Sequence, residues 1–176
     1  MPTTESRPRT KILVAGIGNL FLGDDAFGVE VVRRLIGRPR GDGVRVVDFG
    51  IRGFDLACAL LDGYDLVIVV DATQRGGAPG TLYVVEPDCE LTTDADRGAF
   101  DGGAHNLDPV KAIQLAKAMG GELPRLRLVG CEPATFGSPE RPATGLSPPV
   151  EAAIEQAIAL VESLVAEYRP VSETPS

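Results

Sequence analysis

Apolar positions along this chain fall into short continuous runs that alternate with stretches of helical spacing, which predicts β-strands and α-helices in turn. Lys11 to Ile17 is rich in Val, Ile and Leu and ends in Gly16-Ile17-Gly18-Asn19, a buried strand entering a turn. Ala26 to Leu35 places Phe27, Val31 and Leu35 at helical spacing, with Arg33 and Arg34 near its end, where they complement the helix dipole. A second strand is predicted at Val44 to Val47, closed by Asp48. A short helix follows at Phe54 to Leu61, started by Gly53 and stopped at Asp62-Gly63. Leu66 to Val70 is the most apolar strand and ends on Asp71. The tight loop Arg75-Gly76-Gly77-Ala78-Pro79-Gly80 leads to a strand at Thr81 to Val85. The polar stretch from Pro87 to Ala104 then exceeds the ~12–15 residues usual for an unstructured connection and is a candidate functional loop or lid. Leu107 to Met119 reads as a helix closed by Gly120-Gly121, Leu126 to Cys131 as a strand, and Val150 to Tyr168 as a long amphipathic helix.

The order β-α-β-α-β-β-α-β-α, with apolar strands that do not alternate, predicts the α/β class: a three-layer α/β/α sandwich with a mostly parallel central sheet. Residues 1–10 and 170–176 are polar and aperiodic; they are expected to be a disordered lead-in and tail around one domain over residues 11–169. A length of 176 residues suits that single domain.

Charge and cysteine usage narrow the function classes. A formal net charge of −8 and a pI near 4.7 argue against nucleic acid or an anionic membrane as partner. No apolar stretch approaches the ~18 residues of a transmembrane helix and no signal-peptide h-region is visible, so the expected location is cytoplasmic. Cys58, Cys89 and Cys131 are widely spaced and odd in number, which indicates neither a disulfide framework nor a zinc knuckle. His105 is the single histidine, so any imidazole chemistry runs through it.

In open α/β sheets ligands bind beyond the carboxyl ends of the strands, near a switch in strand order. Three predicted strands lead to carboxylates there: the first to Asp24-Asp25, the second to Asp48, the third to Asp71. Each taken alone is ordinary turn and capping chemistry. Asp71 differs in ending the strand with the strongest claim to a central, buried place, where a carboxylate invites a cation. His105 follows Gly102-Gly103 just ahead of a helix and reads either as a surface or capping residue, or as a metal ligand or acid–base group on a loop. Two carboxylates and one imidazole suit a borderline divalent metal with open positions. Gly16-Ile17-Gly18 fails as a dinucleotide fingerprint, because the third glycine would fall at Phe21 and an acidic pair follows. Walker A and G-x-S-x-G patterns are absent. Cys131 would be a nucleophile only beside His105; as a buried thiol it is a small core residue.

Four ordered motifs resemble the hydrogenase maturation proteases, the endopeptidases that trim the C-terminus of NiFe hydrogenase large subunits. The first is Gly16-Ile17-Gly18-Asn19-Leu20-Phe21-Leu22-Gly23-Asp24-Asp25-Ala26-Phe27-Gly28. The next is Val70-Asp71-Ala72 with Gly77-Ala78-Pro79-Gly80-Thr81, followed by His105 ahead of a helix. The last is Leu126 to Gly130 leading to Glu132-Pro133, then Gly145-Leu146-Ser147-Pro148. The resemblance runs from about Lys11 to Glu167. It implies an α/β/α fold and a nickel-sensing site, with Asp25, Asp71 and His105 as metal ligands and Asp25 and Asp71 as catalytic carboxylates. It implies nickel supplied with the substrate, a large-subunit precursor as partner and a hydrolase classed with aspartic-type peptidases; a monomer is expected.

Cleavage would proceed by metal polarisation of the scissile carbonyl or a metal-activated water with a carboxylate as base, or by a proton-sharing dyad of Asp25 and Asp71. The loop Asp48-Phe49-Gly50-Ile51-Arg52-Gly53 departs from the family's Asp-Gly-Gly-Thr-x-Gly, and Arg52 is a candidate to pair with a carboxylate or with the substrate's C-terminal end. Two other classes are a non-catalytic assembly factor that checks nickel and a Rossmann-like module binding a cation or small ligand.

Overall fold

Strand β1 (Ile12–Ile17) is buried along its whole length, and its alternate residues enter different cores. Ile12 and Val14 face one layer; Leu13, Ala15 and Ile17 face the other. A strand covered on both sides has no polar face to show, which is why its sequence does not alternate. The computed structural model describes residues 9–87 and 109–169. The expected lead-in and tail lie almost wholly outside these, as do His105, Cys89 and nearly all of the polar stretch from Pro87 to Ala104.

After β1 come a 3-10 turn (Asp24–Ala26), α1 (Phe27–Ile36), β2 (Val44–Gly50), α2 (Gly53–Leu60), β3 (Leu66–Ala72) and β4 (Leu82–Val85). The described chain resumes with α3 (Pro109–Ala118), β5 (Arg125–Cys131) and α4 (Pro148–Tyr168). The strand order is β2-β1-β3-β5-β4, with β3 in the centre. Pairing is parallel throughout except for β4, which runs antiparallel to β5 at an edge. Helices α1 and α4 cover one face, where Phe27, Val31, Ile154 and Ile158 meet Ile68 and Val70. Helices α2 and α3 cover the other, with Leu56, Leu60 and Ile113 against Val67, Val69 and Leu128. Each fully buried Val, Ile or Leu contributes on the order of 1.5–3 kcal/mol. Exposed pairs such as Arg34–Glu151 and Arg38–Glu155, which link α1 and the turn after it to α4, contribute about 0–1 kcal/mol each. The two cores hold the layers together.

Most boundaries lie within a residue of the sequence pattern, and three larger shifts have a local reason. Strand β2 does not close at Asp48 but continues to Gly50, because a bulge sets Gly16 opposite Asp48 and Ile17 opposite Gly50 and leaves Phe49 as the extra residue, buried in the second core. Asp71 lies inside β3 rather than ending it, held by pairing with Gly130 of β5. Helix α4 begins at Pro148 rather than Val150, since prolines fit a first helical turn whose N–H groups lack partners. No helix among the described residues is long and apolar enough to cross a membrane.

Candidate active site

The glycines of the first motif serve close packing. A Cβ on Gly28 would stand 2.0 Å from the carbonyl oxygen of Val70 and 2.4 Å from that of Ile17, and one on Gly16 would stand 2.4 Å from the carbonyl oxygen of Gly28. Without side chains at these points the start of α1 sinks onto the ends of β1 and β3. The 3-10 turn is thereby seated against β3. The chain leaves β1 for β2 on one side and later crosses to β3 on the other, so this is the switch point of the sheet.

Among the described residues the buried polar or charged side chains are Asp24, Asp25, Asp71, Thr73 and Glu132, at 1%, 2%, 8%, 4% and 3% exposure. Asp71 lies in the last stretch of pairing of β3 and the other four lie beyond the ends of β1, β3 and β5, at the carboxyl edge of the sheet. Asp25 is oriented by the backbone N–H of Asn19, which donates to Oδ2 at 2.7 Å, and its own N–H donates to the Leu22 carbonyl at 3.3 Å. Asp71 is positioned by its pairing with Gly130 of β5, one residue past the last β3 residue that pairs with β1. The structure thus brings Asp25 and Asp71 to neighbouring elements of one edge, while His105 lies outside the described residues. Among those residues no three His, Cys, Asp or Glu side chains are grouped to hold a metal ion.

Two further carboxylates went unassigned in the sequence. Asp24 accepts the N–H groups of Ala134 (2.8 Å), Thr135 (3.2 Å) and Ser147 (2.7 Å) and the Ser147 hydroxyl (2.8 Å). Glu132 accepts from the N–H of Arg75 (2.8 Å), the N–H of Gly76 (3.1 Å) and the Tyr83 hydroxyl (2.9 Å). Burial pushes the Glu132 carboxyl up, but the donors Arg75, Tyr83, Gly76 and Gly77 outweigh it and hold the group below its ordinary value. For Glu132 the available signal is a charged residue directly after the apolar end of a strand, Leu128 to Cys131, which must find donors if that end is buried.

Comparison with known proteins decides among the open function classes. The family described as HycI, hydrogenase maturation protease, matches residues 29–164. The hydrogenase expression/formation protein HupM of Azotobacter chroococcum mcd 1 is 38% identical over 165 residues, covering 93% of this chain and 75% of that protein. The hydrogenase 2 maturation protease of Escherichia coli K12 is 32% identical, covering 84% of this chain and 86% of that protein. Among solved structures, the hydrogenase maturating endopeptidase HybD from E. coli superposes with a TM-score of 0.73 at 30% identity, over 90% of this chain and 93% of that one. This chain belongs to the hydrogenase maturation protease family.

In this maturation protease Cys131 is a core residue. Burial above all, with the nearby Asp24 and Glu132 charges, pushes its thiol up to about 12, where no useful thiolate forms at neutral pH. Asp48 pairs with Arg33 at 3.2 Å. Arg52 folds back on its own loop: it donates to the carbonyls of Phe49 (3.2 Å) and Asp48 and pairs with Asp55 at 3.4 Å. The protease carries a groove of about 370 Å³ between this loop and the Asn19 turn, lined by Gly18, Asn19, Phe21, Arg33 and Ile51. It adjoins the N–H that orients Asp25.

Proposed function

We propose that this protease removes the C-terminal extension of a nickel-loaded NiFe hydrogenase large-subunit precursor, reading the nickel in that substrate through Asp25, Asp71 and His105. The observation that carries the reading is the seating of Asp25 and Asp71, both buried, on adjacent elements at the switch point of a hydrogenase maturation protease. A carboxylate pair at a sheet edge can take a divalent ion, and three protein donors leave coordination positions for groups of the precursor. The metal then arrives with the substrate as cargo. Its positive charge suits a site lined by two buried carboxylates.

Asp25, Asp71 and His105 would hold the nickel of the seated precursor, which would supply Lewis-acid polarisation at the scissile carbonyl or a water, and one of the two carboxylates takes the proton from the attacking water. The rigid turn around Asp25, held by the Asn19 N–H, keeps that carboxylate aligned during transfer. Cleavage is thereby licensed by metal insertion. The enzyme acts as a monomer in the cytoplasm, a reducing compartment consistent with free Cys58 and Cys131.

Intact mass spectrometry tests this. A nickel-loaded precursor incubated with the protein is expected to lose one C-terminal peptide. Nickel-free precursor, or the His105→Ala protein, should leave the mass unchanged. Absence of cleavage with a precursor that another maturation protease does cut would replace the reading with a non-catalytic nickel-checking factor.

A further inference from the structure

The four buried carboxylates among the described residues fall into two pairs. Asp25 and Asp71 serve the reaction, while Asp24 and Glu132 have their oxygens occupied by backbone and hydroxyl donors. Those donors have a definite arrangement. Glu132 holds the N–H groups of Arg75 and Gly76, in the loop that leaves β3 just after Asp71. Ala134 and Thr135, two and three residues beyond Glu132, donate to Asp24, the neighbour of Asp25. Two residues of chain span at most ~7 Å and three at most ~11 Å, so the segment 132–135 is a short connection between the two halves of the site.

Both ends of the segment are fastened again. The backbone of Glu132 exchanges hydrogen bonds with Gly80 and Thr81 at 2.8 Å each. The stretch before Asp24 is flanked on both sides, by the Gly23–Phe136 and Leu22–Ala143 bridges. Gly23 donates to Ala143 at 2.9 Å and Gly137 to Leu22 at 3.0 Å.

We propose that Asp24 and Glu132 are positioning residues for proteolysis: through the crossbar 132–135 they set the separation and relative orientation of Asp25 and Asp71. The proposal rests on the reading that Asp25 and Asp71 act on the precursor. Apolar side chains of similar volume would hold these loops at least as stably, since a buried charge is an expensive anchor and its replacement is often neutral or stabilising. What carboxylates add is direction. Seven hydrogen bonds to two side chains specify where each loop stands, which nondirectional packing does not. A misplacement of about 1 Å in a catalytic constellation can cost ~100-fold in rate, so the crossbar acts on turnover.

Two mild variants of the full chain test this, Ser147→Ala and Tyr83→Phe, each removing one donor and leaving both carboxylates in place. Turnover of nickel-loaded precursor, its KM and the thermal midpoint are measured together, and the Asp25–Asp71 separation is read from crystal structures of the parent and both variants. Expected are a fall in kcat of roughly tenfold with KM within twofold, a midpoint within a few degrees of the parent, and a changed separation. Unchanged kcat and separation in both variants, with only the midpoint lowered, would overturn the crossbar and leave two stabilising clamps. A parent protein that does not cut the precursor defeats the functional reading instead, and the separation alone then decides the crossbar.

Discussion

Gly18 and Asp25 stand in backbone contact: a Cβ on Gly18 would lie 1.9 Å from the carbonyl oxygen of Asp25, and Gly18 holds φ at +140°. The turn that carries the candidate catalytic carboxylate is thus shaped against a residue with no side chain. Gly18→Ala forces that turn away and strains a backbone region L residues avoid, so the expected loss is about 3 kcal/mol or more, with loss of cleavage. Gly120→Ala is the matched control. Its φ is +82° but nothing lies within 4 Å, so only the left-handed penalty of about 1 kcal/mol applies and activity persists. Urea denaturation and precursor cleavage of the two variants check the contrast; equal losses would show that close approach to Asp25 does not matter.

Glu132 makes the fold acid-sensitive. Its folded-state value is depressed, because the donors around it outweigh the opposing effect of burial. Such a group contributes stability that is fully present above the unfolded value of about 4.3 and is lost as pH falls through the lower, folded one. Urea midpoints of the parent protein should therefore drop on acidification below about pH 4.3, and Glu132→Gln should be weaker at pH 7 with a flatter profile over that acid range. Parallel profiles for the two proteins would remove Glu132 from the acid response.

Cys131 and Cys58 should part company in their reactivity. Cys131 is fully buried, its thiol lies near 12, and its Sγ donates to the Glu132 carbonyl at 3.7 Å, whereas Cys58 is partly exposed. Iodoacetamide at pH 8 followed by peptide mapping is expected to alkylate Cys58 within minutes. Cys131 should react only when the protein is unfolded, because the thiolate is the nucleophile. Rapid labelling of Cys131 in the native protein would mean that the end of β5 opens readily.

The layers and their order were legible because burial on both faces leaves a plain mark: Ile12 to Ile17 and Leu66 to Val70 have no polar face to misread. Asp71 was legible as the one charge directly after the apolar run Leu66 to Val70, although the strand carries on through it to Ala72. What stayed hidden depends on contacts distant in sequence. Nothing near Asp24 announces that its partners sit at Ala134 and Ser147, more than a hundred residues away, so it passed as half of an acidic pair. The bulge at Phe49 was hidden for a similar reason, since a strand's register belongs to the pair and not to one chain segment. Ser147 shows the same dependence. As the residue before α4 it invites reading as a helix cap, yet its hydroxyl is spent on Asp24 and makes no capping bond.

Nickel on the precursor and nickel on the enzyme predict different responses to chelation. If the metal arrives with the substrate, soaking the enzyme alone in a chelator and then removing the chelator should leave cleavage unchanged, while stripping the precursor should abolish it. A dyad of Asp25 and Asp71 sharing one proton needs no metal, and would cut the stripped precursor at an unaltered rate. The carboxylates matter under either chemistry, so Asp25→Asn and Asp71→Asn are each expected to lower kcat by about 10²–10⁴, the usual contribution of a general base. What separates the mechanisms is the pairing of treatments. Loss of cleavage on stripping the precursor, restored by adding nickel back to it before enzyme is present, supports the metal acting as cargo and cofactor at once. Undiminished cleavage of stripped precursor by the parent protein would sink the nickel mechanism and leave the two buried carboxylates to do the chemistry alone.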